Sequence, residues 1–120
     1  MNMEKHETPR KNRVIHIREE FLKLIDSGAK TLEIRIKFPG FTKIQTGDYI
    51  EFKYSKSSVK VKITATRNYR DWNKVFQSED TEKLAPGFSR ERLQKLIPEI
   101  FKDSDVDTYG LIVFEFEKVA

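Results

Sequence analysis

The hydrophobic period of this chain changes at one glycine. Phe21, Leu22, Leu24 and Ile25 recur at near-helical spacing, so the chain reaches Gly28 as a short amphipathic helix over 19–27. Glu19 and Glu20 suit the first turn of that helix, where its dipole favours negative charge. Gly28 can take the left-handed conformation that ends a helix. Beyond it the period is two. Leu32, Ile34 and Ile36 alternate with Thr31, Glu33 and Arg35, which predicts a half-buried strand at about 30–37. The odd-numbered side chains share a face, and Lys30 stands at the joint between turn and strand. A cation, a carboxylate and a guanidinium therefore converge at a helix-to-strand corner, the best site candidate in the sequence.

The remaining pattern is mostly β. Residues 1–13 are polar, contain Pro9 and show no period, which predicts a disordered tail carrying Arg10, Lys11 and Arg13. Val14–Ile17 reads as a short strand, with His16 a structural histidine. Phe38-Pro39-Gly40-Phe41 is a loop whose phenylalanines either lid the core or form a ledge for a base; the core reading is favoured. Thr46-Gly47-Asp48 turns into a strand at Tyr49–Phe52. A hairpin loop at Ser55–Ser58 leads to the clearest alternation, in which Val59, Val61 and Ile63 face inward and Lys60, Lys62 and Thr64 outward. Trp72, Val75 and Phe76 predict a helix over 71–78, and Glu79–Gly87 reads as a loop. Ser89 caps a helix with Leu93, Leu96, Ile97, Ile100 and Phe101 on one side, which Pro98 should kink or split. Asp103, Asp105 and Asp107 lack the glycine and glutamate of a calcium loop and read as a solvated loop. A last strand at 111–118 turns Ile112, Phe114 and Phe116 to the core. The fold class expected is mixed α+β, a curled barrel-like sheet of about five or six strands flanked by helices.

Composition narrows the chemistry. The 120 residues are one domain's worth, 38% apolar and 35% charged, with nine phenylalanines to build a small core. There is no cysteine, and two histidines, His6 and His16, are too few for zinc without carboxylates. No metal or cofactor is expected. No run is long enough to span a membrane, and the N-terminus lacks a signal peptide's apolar core, so a cytoplasmic protein is expected; a monomer is the oligomeric state expected. The net charge of +4 is unevenly spread. Residues 30–70 hold ten Lys or Arg against three acids, whereas 71–120 hold seven against eleven. A basic central block is a reasonable footprint for a polyanion, or simply a solvated, edge-protecting strand face.

Three features now combine. Gly28 to Arg35 reads G-x-K-x-x-E-x-R, Gly47-Asp48 turns into a strand, and Tyr109-Gly110 opens the last one. Together they resemble the ASCH domain (activating signal cointegrator homology) of the PUA-like β-barrel superfamily. The likeness makes 14–120 one ASCH domain behind the basic tail. It implies a small mixed barrel with a cleft beside the first helix, and RNA or a nucleotide as partner. Some small bacterial relatives hydrolyse the acetyl amide of N4-acetylcytidine. They carry threonine where this chain has Glu33, and their further catalytic carboxylate is not matched here. Other members are described as ribonucleases.

Two functions are in view. In the first, a non-catalytic RNA-binding module, Lys30, Arg35 and Lys37 contact phosphate or a base edge, and Lys60 and Lys62 extend the basic track. Glu33 holds Arg35 or accepts from an amino group. In the second, a small hydrolase of a modified nucleoside or of RNA, Lys30 with a lowered pKa is base or nucleophile and Glu33 shuttles the proton.

Overall fold

The computed structural model describes residues 13–120, so His6, Arg10 and Lys11 lie outside the described residues. Its five strands are β1 (Arg13–His16), β2 (Leu32–Ile36), β3 (Tyr49–Tyr54), β4 (Ser57–Tyr69) and β5 (Leu111–Lys118). They form one curled sheet in the order β1-β3-β4-β5-β2. The β1–β3 pair is parallel and the other three are antiparallel. The helices are α1 (Glu19–Asp26), α2 (Trp72–Ser78), α3 (Thr81–Leu84), α4 (Arg90–Ile100) and α5 (Asp103–Tyr109). This is an α+β half-barrel of five strands flanked by five helices among the described residues. Among the described residues no helix is long and apolar enough to cross a membrane.

The sheet buries its concave face, and its other face at β2 and β5, while Lys60 and Lys62 of β4 stay exposed. On the concave face, Ile50, Phe52, Val59, Val61, Ile63, Ile112, Phe114 and Phe116 pack with Leu22 and Ile25 of α1. On the other, Leu32, Ile34, Ile36, Leu111 and Val113 pack against Val75, Leu84 and Val106 from α2, α3 and α5. Leu32, Ile34, Val59, Val61, Ile63, Phe114 and Phe116, the apolar halves of their alternating runs, are all buried, but Leu32 and Ile34 lie on the opposite side from the rest.

The register of β2 on β5 decides this, because Leu32 and Ile34 pair with Glu115 and Val113 rather than with Phe114 or Phe116, and β4 carries a bulge of its own. Ile63 pairs with Phe116 and Ala65 with Glu115, leaving Thr64 as an extra residue. Before it, odd-numbered residues face the concave core; after it, Thr66 and Asn68 do, and Arg67 and Tyr69 turn outward. The alternation read over 59–64 therefore stops at Thr64, although the strand continues to Tyr69. There Arg67 forms a fork to both oxygens of Glu79 and a 2.8 Å bond to Glu115, and the Tyr69 hydroxyl also donates to Glu79.

Two expectations need correction. Residues 103–109 are helical, with Asp103 and Asp105 at the favourable end of the dipole and Val106 buried. The stretch expected as a loop after Ser78 contains α3, capped by the Asp80 carboxylate, which accepts from the Glu82 N–H. Of the two outcomes expected at Pro98, a kink or a split, the split does not occur: α4 runs through it from Arg90 to Ile100. The carbonyl Pro98 strips of a partner would be that of Gln94, an exposed residue that water can serve. Ser89 caps α4 as expected, accepting from the Arg92 N–H.

Candidate functional site

The corner predicted from the period change is built as a tethered joint. Gly28 has φ +85°, and its N–H returns to the Ile25 carbonyl, closing α1. Lys30 N–H then bonds to the Leu24 carbonyl at 3.0 Å, fixing the start of β2 against the helix. Lys30 is 2% exposed and Glu33 7%, among the few buried charged residues described.

The Lys30 ammonium meets three acceptors. It donates to the Leu32 carbonyl at 2.6 Å, to the Leu84 carbonyl, and to Glu33 Oε1 at 3.0 Å. Its Nζ also lies 5.3 Å from the Phe21 ring centroid. Glu33 Oε2 takes a fork from Arg35, 2.8 Å to Nε and 2.7 Å to Nη2. Arg35 Nη2 reaches on to the His16 carbonyl at 2.9 Å. Nothing among the described residues accepts from Arg35 Nη1.

Burial draws the Lys30 pKa below the usual lysine value; Glu33 opposes this, and Arg35 adds to it. Burial alone would raise Glu33, but Lys30 and Arg35 outweigh it and hold the carboxyl below its ordinary range. The three acceptors around Nζ require three N–H donors, so they favour the ammonium, because a neutral amine has only two. The group is thus a closed, charged triad with one guanidinium edge left open.

Above the triad lies a cavity of about 490 Å³. Phe21, Phe41, Trp72, Phe76 and Phe101 supply aromatic wall, and Leu93, Leu96, Ile97 and Ile100 of α4 supply the aliphatic side. Glu33 is the one carboxylate among its described lining residues, against Arg18, Lys30 and Arg35. Such a chamber, mostly apolar with a few convergent polar groups, is the usual form of a small-ligand site. Trp72, expected as a helix anchor, packs edge-on to Phe101 at 5.1 Å and also faces this chamber. His16 is exposed, and its carbonyl serves Arg35.

The structure brings Lys30, Glu33 and Arg35 together and leaves the other predicted cations apart. Lys37, Lys60 and Lys62 do not line the cavity. Lys60 and Lys62 project from the outer face of β4, and the Lys60 ammonium lies 5.1 Å from the Tyr49 ring centroid. Sequence reasoning missed Leu84, whose carbonyl anchors Lys30, and the lining role of α4. The sole signals were a lone leucine in an acidic stretch and an apolar helical stripe that any core helix would show.

A family model, the ASCH domain, matches residues 15–120. The chain belongs to the ASCH-domain family. Among solved structures, the ASCH fold here is similar to the hypothetical protein PH0355, with a TM-score of 0.82 and 26% identity over 91% of this chain and 100% of that one. Protein PF0455 from Pyrococcus furiosus gives 0.73 and 27%, over 91% and 98%. ZmASCH from Zymomonas mobilis, in a mutant form, shares the ASCH fold at 0.57 and 18%, over 90% of this chain and 70% of that chain. No curated protein matches the chain.

Proposed function

We propose that this ASCH domain binds single-stranded RNA without turning it over, seating one base in the cavity above the triad. The observation that carries this reading is the commitment of Lys30. All three of its N–H groups donate to acceptors within the protein, which favours the ammonium, a form with no lone pair to attack a substrate. What remains available is the open Nη1 edge of Arg35 beside an ionised Glu33. A donor next to an acceptor complements the Watson–Crick edge of a base such as cytosine, which has an amino group beside ring and carbonyl acceptors. The aromatic walls offer surfaces for the base's faces. Lys37, Lys60 and Lys62 then act on phosphates along the strand, outside the cavity.

Fluorescence anisotropy with a labelled single strand tests this. Binding should weaken with salt, with a logarithmic slope of about −0.7 per phosphate neutralised. Arg35→Ala should cost most of the affinity. Charge reversal at Lys60 and Lys62 should weaken all sequences alike and flatten the slope. Failure to bind at low salt with the fold intact would remove the reading.

One observation favours the hydrolase reading: burial lowers the Lys30 pKa, as a catalytic lysine requires. Against it stands the lack of a second carboxylate among the described lining residues.

A further inference from the structure

Four of the six large apolar side chains exposed among the described residues gather at the cavity, and the other two, Val14 and Tyr49, do not line it. Phe38, Tyr54 and Ile100, 37%, 43% and 42% exposed, all line the cavity. Tyr109, 39% exposed, packs edge-on against Phe38 with ring centroids 4.9 Å apart. A contiguous exposed apolar patch on a small, densely charged domain marks an interaction surface.

The Phe38–Tyr109 pair is held in place by main chain. Lys37 N–H donates to the Gly110 carbonyl at 2.9 Å, tying the residue before Phe38 to the residue after Tyr109. Phe38 N–H returns to Ile36, and its carbonyl accepts from Phe41 N–H at 2.8 Å. Gly110 has φ +77°, and a Cβ there would lie 2.9 Å from the Tyr69 carbonyl oxygen, so this close approach needs glycine. Phe41, four residues past Lys37, instead packs against Phe114 in the core. Of the two phenylalanines in this loop, one closes the core and the other is displayed. Cations accompany the displayed ring: Lys37 is its chain neighbour, and Arg18 and Arg35 line the same cavity.

We infer that Phe38, braced by Tyr109, is a stacking ledge for the base next to the one in the cavity. The ligand is then a splayed dinucleotide step of single-stranded RNA rather than an isolated nucleoside. This inference rests on the proposed RNA reading and adds to it a second base site. A flat ring beside cations suits a nucleobase, which presents a π-face whatever its sequence and carries a phosphate within reach.

The test compares the dinucleotide CpC with its counterpart lacking the second base, which has the same phosphate count. Calorimetry on the full chain should show CpC binding roughly five- to hundredfold tighter, the range expected for one base on an aromatic ring. Phe38→Leu keeps apolar bulk but removes the flat ring, and should bring that ratio close to one. Tyr49→Ala removes an equally exposed tyrosine that does not line the cavity and should leave it unchanged. If Phe38→Leu does not fold, Tyr109→Ala carries the same test through loss of the brace. A ratio near one in the unaltered protein, or one indifferent to both ledge variants, overturns the inference while leaving the cavity site standing. Binding of neither probe overturns the RNA reading and this inference with it.

Discussion

Arg35 of β2 donates from Nη2 to the main-chain carbonyl of His16 in β1, at 2.9 Å. These two strands are the opposite edges of the sheet, and no backbone ladder joins them. One guanidinium therefore bridges the seam of the half-barrel and, through Nε, grips the buried carboxylate that faces the cavity. Closing the fold and shaping the site depend on the same side chain.

Arg35→Ala should destabilise the domain by about 1.5–3 kcal/mol, the range for hydrogen bonds to charged groups. Arg35→Lys should recover little, because a point charge cannot make the fork to Glu33 and reach His16 as well. Urea denaturation compares the midpoints. Equal stability of Arg35→Ala and the unaltered protein would show that the seam holds without the bridge.

Lys30→Met should cost more, about 3–5 kcal/mol, because it leaves Glu33 and two carbonyls short of a donor in a buried place. The same measurement decides it. A loss below about 1 kcal/mol would mean that the cluster relaxes or admits water.

Much of this corner was legible in the sequence. The period change at Gly28 fixes a helix, a turn and a strand in that order, and strand alternation puts Glu33 and Arg35 on one face. What the alternation could not reveal is that this face is buried. Charged residues at every second position normally mean a solvated side, but β2 is an edge strand folded over the cavity, with helices packed on its other face. Leu84 reaches Lys30 from 54 residues away in sequence, a contact no local pattern encodes. The helix at 103–109 was hidden by three aspartates, whose turn propensity yields to burial of Val106 and to a favourable dipole.

Acid should weaken the fold. Glu33 and Glu79 are both held below the ordinary carboxyl value of 4.5: burial pushes each up, but cationic partners, joined at Glu79 by the Tyr69 hydroxyl, prevail. A depressed folded pKa contributes stability that is complete above the unfolded value and is lost as pH falls through the folded one. The urea midpoint should thus fall progressively below about pH 4.5. Glu33→Gln, less stable at neutral pH, should show a shallower acid limb. An unchanged limb in that variant would mean that Glu33 is not the titrating group.

No turnover of N4-acetylcytidine is expected. Prolonged incubation should release neither acetate nor cytidine, as followed by chromatography. Multiple-turnover release that is lost in Lys30→Ala would establish the hydrolase reading instead.

The extra residue at Thr64 has a consequence for how this chain can vary. Upstream of it, odd positions of β4 belong to the barrel interior; downstream, they belong to the helix-covered side. Deleting Thr64 would bring Ala65 directly after Ile63, still opposite Glu115, and so restore a regular ladder with both sides kept from Ala65 to Tyr69. Arg67 would keep its fork to Glu79. A residue inserted after Ala65 would instead exchange the two sides downstream and turn Arg67 into the apolar interior. At this point the strand should lose a residue far more easily than it gains one.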